Sequence, residues 1–273
     1  ERVASFVTWR TGLMVYQDRT LREKLTLFWF NHMPVEASAV FSGEMLYAYD
    51  QILRDNCTGN FRQMIYAVST SAAMLDYLNG RLNTATAPDE NFARELMELF
   101  TLGEGSGYSE ADVQAAAQVL TGWSIRQTLN NVAILPEVYF RLNQHVTTDK
   151  VFSGFFDNTV ITGNNTVDAG SIELNALLDM IFAKEEVSRF ICRELYRFFV
   201  HGEISNAAET ELIGPLAELF RTNAGAPDQL RIVLRALFTS DHFFTPDLRN
   251  CMVMSPADVV VGAVRKLKVA LPN

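Results

Sequence analysis

Apolar residues recur at three- and four-residue steps over most of the chain, the spacing that lays a stripe along one side of an α-helix. Over residues 20–32 the stripe is Leu21, Leu25, Phe28, Trp29 and His32, and Pro34 follows it. Residues 36–55 resume the pattern through Val40, Phe41, Met45, Leu46, Tyr49 and Leu53, and Asn56, Gly59 and Asn60 close it. Residues 61–78 read as a further helix stopped by Asn79-Gly80. The densest segment is 89–102. It opens behind Pro88, places Asp89 and Glu90 at the positive end of the helix dipole, and stops at Gly103, a suitable C′ residue. Ser109 followed by Asp112 predicts a capping box before a helix that runs to Leu120. The periodicity returns over 171–183, 185–200, 207–221 and 227–238. A last helix opens at Ser255-Pro256-Ala257-Asp258, with serine as cap, proline in the first helical position and aspartate closing the box.

Between about 130 and 163 the pattern changes. Val132, Ile134, Val138, Tyr139, Phe140, Val151, Phe152, Val160 and Ile161 stand among Asn, Thr, Gly and Pro, which predicts hairpin-like strands and long loops. No repeat, low-complexity tract or linker divides the chain. The expectation is one mainly α, multi-helix domain over 1–273 with a small β excursion at 130–163.

Composition narrows the function classes. With 48% apolar and 20% charged residues the chain is an ordinary folding sequence, well removed from the disordered class. Its net charge of −9 repels phosphate backbones, and its longest basic cluster is Arg265-Lys266-Leu267-Lys268, so nucleic acid is not an expected partner. No apolar run approaches the roughly 20 residues of a membrane-spanning helix. Cys57, Cys192 and Cys251 lie far apart in sequence and suggest neither a metal motif nor a disulfide framework, and Cys192 sits in a helical run as a packing residue. The chain opens at Glu1 without a signal-like segment and ends at Leu271-Pro272-Asn273 just after a helical pattern, and so reads as a piece of a longer protein.

The run Asn91-Phe92-Ala93-Arg94-Glu95-Leu96-Met97-Glu98-Leu99-Phe100-Thr101-Leu102-Gly103, then Tyr108-Ser109-Glu110-Ala111-Asp112-Val113 and Leu120-Thr121-Gly122-Trp123, strongly resembles the bacterial family known as domain of unknown function 1800. Leu27-Phe28-Trp29-Phe30-Asn31-His32, Ala73-Met74-Leu75-Asp76-Tyr77-Leu78, His145 with Lys150 and Gly154, and Leu237-Phe238-Thr239-Ser240-Asp241-His242-Phe243 with Ser255-Pro256 extend the resemblance over nearly the whole chain. Two positions depart from it: Val146 stands where the family commonly has an acid, and Met254 where a lysine often precedes the serine-proline pair. The resemblance implies a mainly helical, exported protein, periplasmic or extracellular, often encoded beside a sulfatase-like partner of equally unassigned function.

On a regular helix of about 3.6 residues per turn, Glu95 falls between Leu102 and Leu99, at the margin of the apolar face. A carboxylate there is costly to desolvate unless it meets an arginine, backbone donors or a metal, so Glu95 is expected to be partly buried with such a partner. Asn91, Glu95 and Glu98 form a polar stripe, and His32 on another helix is placed to complete a metal set with Glu95. The glutamate-x-x-histidine pair of helical metal sites is absent, so a divalent metal is compatible with the pattern but not favoured by it. His145, in a polar loop with Asp149 and Lys150, is a general-base candidate by expected exposure. The catalytic candidates are therefore Glu95, Glu98 and His145; the binding candidates are Asn91, Arg94, Lys150 and Trp123. Each also has a purely structural reading: Arg94 and Glu95 holding loops, His32 and Trp123 packed in the core. No nucleophile elbow, P-loop or dinucleotide fingerprint is present. Two functions remain open, an exported domain that binds a protein partner or an extracytoplasmic polymer, and a hydrolase-type enzyme using Glu95, Glu98, His32 and His145. They differ in geometry, since an enzyme needs those groups to converge on one pocket.

Overall fold

A computed structural model describes residues 2–18, 20–249 and 251–269. Glu1 and Leu271-Pro272-Asn273, the two ends of the sequence, lie outside them. The architecture is mainly α with two small antiparallel two-stranded sheets. The helices of the first part are α1 (Arg2–Tyr16), α2 (Arg22–His32), α3 (Ala37–Val40), α4 (Gly43–Asn56), α5 (Phe61–Ser69) and α6 (Ala72–Tyr77). Two segments that read as single helices are each broken once. Phe41 turns to a φ of 49°, after which the Ser42 hydroxyl accepts the Met45 amide at 3.2 Å and starts α4. Ser71 likewise accepts from Met74 at 3.3 Å and starts α6. Serine side chains offer amides a partner outside the helical ladder, and the apolar rhythm continues across both breaks because both pieces face one core.

The next helix, α7 (Asn91–Glu95), continues as a π-helix over Leu96–Thr101. The Leu102 amide reaches the Met97 carbonyl at 2.9 Å and the Thr101 hydroxyl reaches the Leu96 carbonyl at 2.5 Å, both five-residue steps. The inserted residue rotates the later side chains: Leu99, expected inside, is 46% exposed, and Met97 is buried in its stead. Gly103 ends the segment at a φ of 91°, and a Cβ there would press on the Phe190 ring at 2.9 Å.

Helix α8 (Glu110–Val119) opens on the capping box expected of Ser109 and Asp112. Strands β1 (Trp123–Leu129) and β2 (Val132–Phe140) pair Trp123 with Phe140 through an Asn130-Asn131 turn whose residues both have positive φ, 50° and 63°. The β excursion thus begins at Trp123, not near 130. Strands β3 (Lys150–Val151) and β4 (Val160–Ile161) form the second sheet.

The remaining helices are α9 (Ala169–Phe182), α10 (Glu185–Phe199), α11 (Asn206–Ala208), which runs through a second π-turn at Glu209–Ile213 into α12 (Gly214–Thr222), α13 (Gln229–Phe238) and α14 (Pro256–Leu267). Helix α14 opens on the expected Ser255/Asp258 box. It is clamped to the first helices: Asp258 meets Lys24 at 2.6 Å, and Arg265 donates to the carbonyls of Met14, Val15 and Gln17 at 3.0 Å, a cation at the negative end of α1. A core cluster reaches from Phe6 to Leu237, with Trp29, Tyr49, Phe61 and Phe100 fully buried in it. Cys57, Cys192 and Cys251 are free thiols, and burial pushes Cys192 up to about 12.

Candidate functional site

The candidate residues fall in three separate places. The first is the exposed side of the turn that carries Glu95. Glu95 is half-buried, and among the described residues it forms no hydrogen bond or ion pair. The partner expected for it is missing because its neighbour Arg94 turns to Glu90, at 3.1 Å, and to Glu110 instead. Desolvation, and then the charge of Glu98, raise the Glu95 carboxyl above its ordinary value, with Arg94 opposing. Tyr108, near the same charges, is pushed up to about 12, chiefly by burial. Asn91 is exposed at the start of this turn, and its amide is held by the Asp89 carboxylate at 2.9 Å.

His32 occupies the second place. Its Nε2 lies 3.0 Å from the Phe100 carbonyl, which can only accept, so Nε2 carries the proton. Desolvation lowers the imidazole below its ordinary value, against the Phe100 carbonyl and the charge of Glu194. A small surface hollow there is lined by Phe28, Asn31, His32, Glu194, Arg197 and Phe198. Glu95 does not line it. Among the described residues no three His, Cys, Asp or Glu side chains are arranged to hold a metal ion, and the carboxylate whose charge acts on His32 is Glu194.

The third place is interior. His145 is 4% exposed, where a polar loop had suggested an open histidine. The local cause is Gly122, at a φ of 91°, which lets the chain fold so closely that an added Cβ would meet the Arg141 carbonyl at 3.0 Å and His145 at 3.2 Å. The His145 Nδ1 lies 2.9 Å from the Thr121 carbonyl and its Nε2 3.1 Å from Glu173 Oε1. Lys150, also fully buried, sets its Nζ 2.5 Å from Glu173 Oε2 and reaches the Val146 carbonyl. The Asn164 amide completes the set at 2.8 Å from Glu173 Oε1. Burial pushes the Glu173 carboxyl up, but the donors from His145, Lys150 and Asn164 outweigh it and hold the carboxyl below the usual range. His145 and Lys150 thus fasten the 141–164 loop to α9. Trp123 packs beside them, 5.5 Å from the Phe140 ring and edge-on, a core residue with little surface for stacking on a ligand.

Glu173 has a signal in the sequence: it stands in the core register of α9, a turn before Leu177 and Leu178. Asp50 has the same signal, between Leu46, Tyr49 and Leu53 on α4. It is fully buried and meets Arg10 at 3.0 Å and Arg54 at 3.0 Å, while Arg54 also binds the buried Glu23. These two cations and two carboxylates tie α1, α2 and α4 together.

Among the described residues, none of the sequence candidates lines either of two large cavities. One, of about 520 Å³, lies between α4, α6 and the β1–β2 hairpin, with Met45, Ala48, Ala72, Leu135 and Pro136 in its wall. The other, of about 570 Å³, lies between the start of α2, the end of α4 and α13.

No curated protein and no solved structure matches the chain. A family model described as "Protein of unknown function (DUF1800)" matches residues 1–273. The match covers the whole chain, including the π-turn, the Gly122 fold-back and the His145–Lys150–Glu173 cluster, and the protein therefore belongs to the DUF1800 family.

Proposed function

We propose that the protein is a single-domain binding module that acts outside the cytoplasm, in the periplasm or beyond, and takes a partner protein or an envelope polymer. The observation that carries this reading is dispersal: Glu95 with Glu98, His32, and His145 with Lys150 lie in three places, and none lines either large cavity. Catalysis by these groups needs them within hydrogen-bond reach of one substrate. A binding module needs only a shaped surface, and two cavities of the size that holds small ligands or chain segments are present. The export and the envelope setting rest on the family resemblance. The test is saturable binding of the purified chain to isolated envelope fractions, repeated with a Glu95→Gln/Glu98→Gln/His32→Gln variant. Binding unchanged in the variant supports the module; no saturable binding to any fraction overturns it.

A second reading keeps the enzyme and rests on one feature, the half-buried Glu95, with no side-chain partner among the described residues and a raised pKa, on a π-turn. Such turns recur at functional sites, and such a carboxyl is suited to carry a proton. Its test is hydrolysis of envelope glycans and esters by the wild type, with loss in Glu95→Gln and retention in Leu99→Ala.

A further inference from the structure

The cavity between α2, α4 and α13 is cationic although the molecule as a whole is acidic. Arg22, Arg54, Arg231 and Arg235 line it, against a single lining carboxylate, Asp55. Three of the four guanidiniums are engaged. Arg54 is held by Asp50 and Glu23 inside the core, Arg22 pairs with Asp55 at 3.2 Å, and Arg231 pairs with Asp228 at 2.5 Å. Arg235 is exposed and has no hydrogen-bond or ion-pair partner for its side chain among the described residues. The Arg22–Asp55 and Arg231–Asp228 pairs are solvent-exposed and so easily exchanged for another anion. Arg231, Leu234, Arg235 and Phe238 share one face of α13, at steps of three, four and seven residues, which alternates cation with apolar surface. Leu25 and Leu234 are buried and form, with Phe238, an apolar floor beneath the guanidiniums. The wall is fixed in place: the amides of Leu230 and Arg231 bond the Gly59 and Thr58 carbonyls at 2.9 and 3.0 Å, tying the start of α13 to the turn after α4.

From this arrangement the geometry points to a binding site for an organic oxyanion carried on an apolar body, with the anionic head on Arg235, assisted by Arg22 and Arg231, and the apolar part over Leu25, Leu234 and Phe238. Guanidinium forks match the planar or tetrahedral oxygens of carboxylate, phosphate and sulfate groups, and the half-apolar wall selects against the bare inorganic ion. The site deepens the binding reading above and rests on it, since it names the chemical class of what the module takes.

The probes are hexyl phosphate, hexanoate, hexanol and inorganic phosphate, titrated calorimetrically into the whole chain. Hexyl phosphate or hexanoate should saturate one site, the stronger of the two identifying the head group, with hexanol and inorganic phosphate each at least about tenfold weaker. Arg235→Gln, on the exposed face of α13, should weaken the amphiphile about tenfold while circular dichroism stays unchanged, and added salt should weaken it further. Phe238→Ala should weaken the amphiphiles and leave inorganic phosphate unaltered. Failure of both amphiphiles to saturate, or equal binding by Arg235→Gln, overturns the site. The two readings fail differently. Envelope binding that persists without amphiphile binding overturns this site alone, whereas amphiphile binding without any envelope binding overturns the partner reading and leaves the oxyanion site standing.

Discussion

Glu173 and Glu95 are both carboxylates in helical segments, and their surroundings drive them in opposite directions. Glu173 gathers His145, Lys150 and the Asn164 amide, and its carboxyl is held low. A carboxylate whose native pKa is depressed adds stability above its unfolded value, and that stability is lost as the pH falls through the native value. Glu173→Gln is therefore expected to cost about 3–5 kcal/mol at pH 7, because His145 and Lys150 lose their shared partner, and the difference from wild type should start to narrow below the ordinary glutamate value of about 4.3 and close only below the depressed native value. Urea unfolding at pH 7 and over a series of acid pH values measures both. For Glu95 the sign reverses. Its raised native pKa means that the folded state is penalised once the group ionises, so Glu95→Gln should raise the melting temperature slightly at pH 7 and leave it unchanged below the ordinary value. A loss of stability at pH 7 would reveal a partner for the carboxylate. The helical wheel singles out Glu95 from sequence, yet it also places Glu173 and Asp50 in core registers of α9 and α4. The distinction between them is not legible because the donors for Glu173 come from a loop nine to 28 residues earlier in the chain.

At the scale of elements, periodicity locates most helices within a few residues, and both serine-aspartate boxes, at Ser109 and Ser255, are where the sequence puts them. Periodicity cannot show where a helix changes its hydrogen-bond step. The segment after Glu95 keeps apolar residues on both sides of an ideal wheel, and the π-turn chooses Met97 over Leu99 for the core. That choice is directly measurable. Leu96→Ala, at a buried site, should cost about 2–5 kcal/mol, whereas Leu99→Ala should stay within about 0.5 kcal/mol of wild type. A continuous α-helix would make Leu99→Ala costly as well. The start of the hairpin at Trp123 escapes a reading by composition because Trp123 and Ser124 are buried beside α-helical segments, and the exposed, polar part of the ribbon comes only later. Helix α1 leaves no clean stripe, since Val3, Phe6, Val7 and Trp9 scatter around it, and its place is set by tertiary contacts such as Arg10–Asp50.

At the scale of the whole molecule, a mainly α fold and membership of the DUF1800 family are both readable from the chain. The candidate site is less so: the sequence names the residues that carry charge but not their dispersal. The buried pairs Arg10–Asp50–Arg54–Glu23 and Lys150–Glu173–His145 absorb much of the chemistry into holding helices and loops together. Of the two larger cavities, one is lined by four arginines in a chain of net charge −9, and no helix among the described residues is long and apolar enough to cross a membrane. The most direct measurement is a binding isotherm of the purified chain on isolated envelope polymer and on solubilised envelope protein, run side by side for wild type, Glu95→Gln/Glu98→Gln/His32→Gln and Arg235→Gln. Saturable binding that the triple variant keeps and Arg235→Gln weakens about tenfold is the predicted result. Binding absent from every fraction, or lost in the triple variant while Arg235→Gln binds as well as wild type, would contradict it.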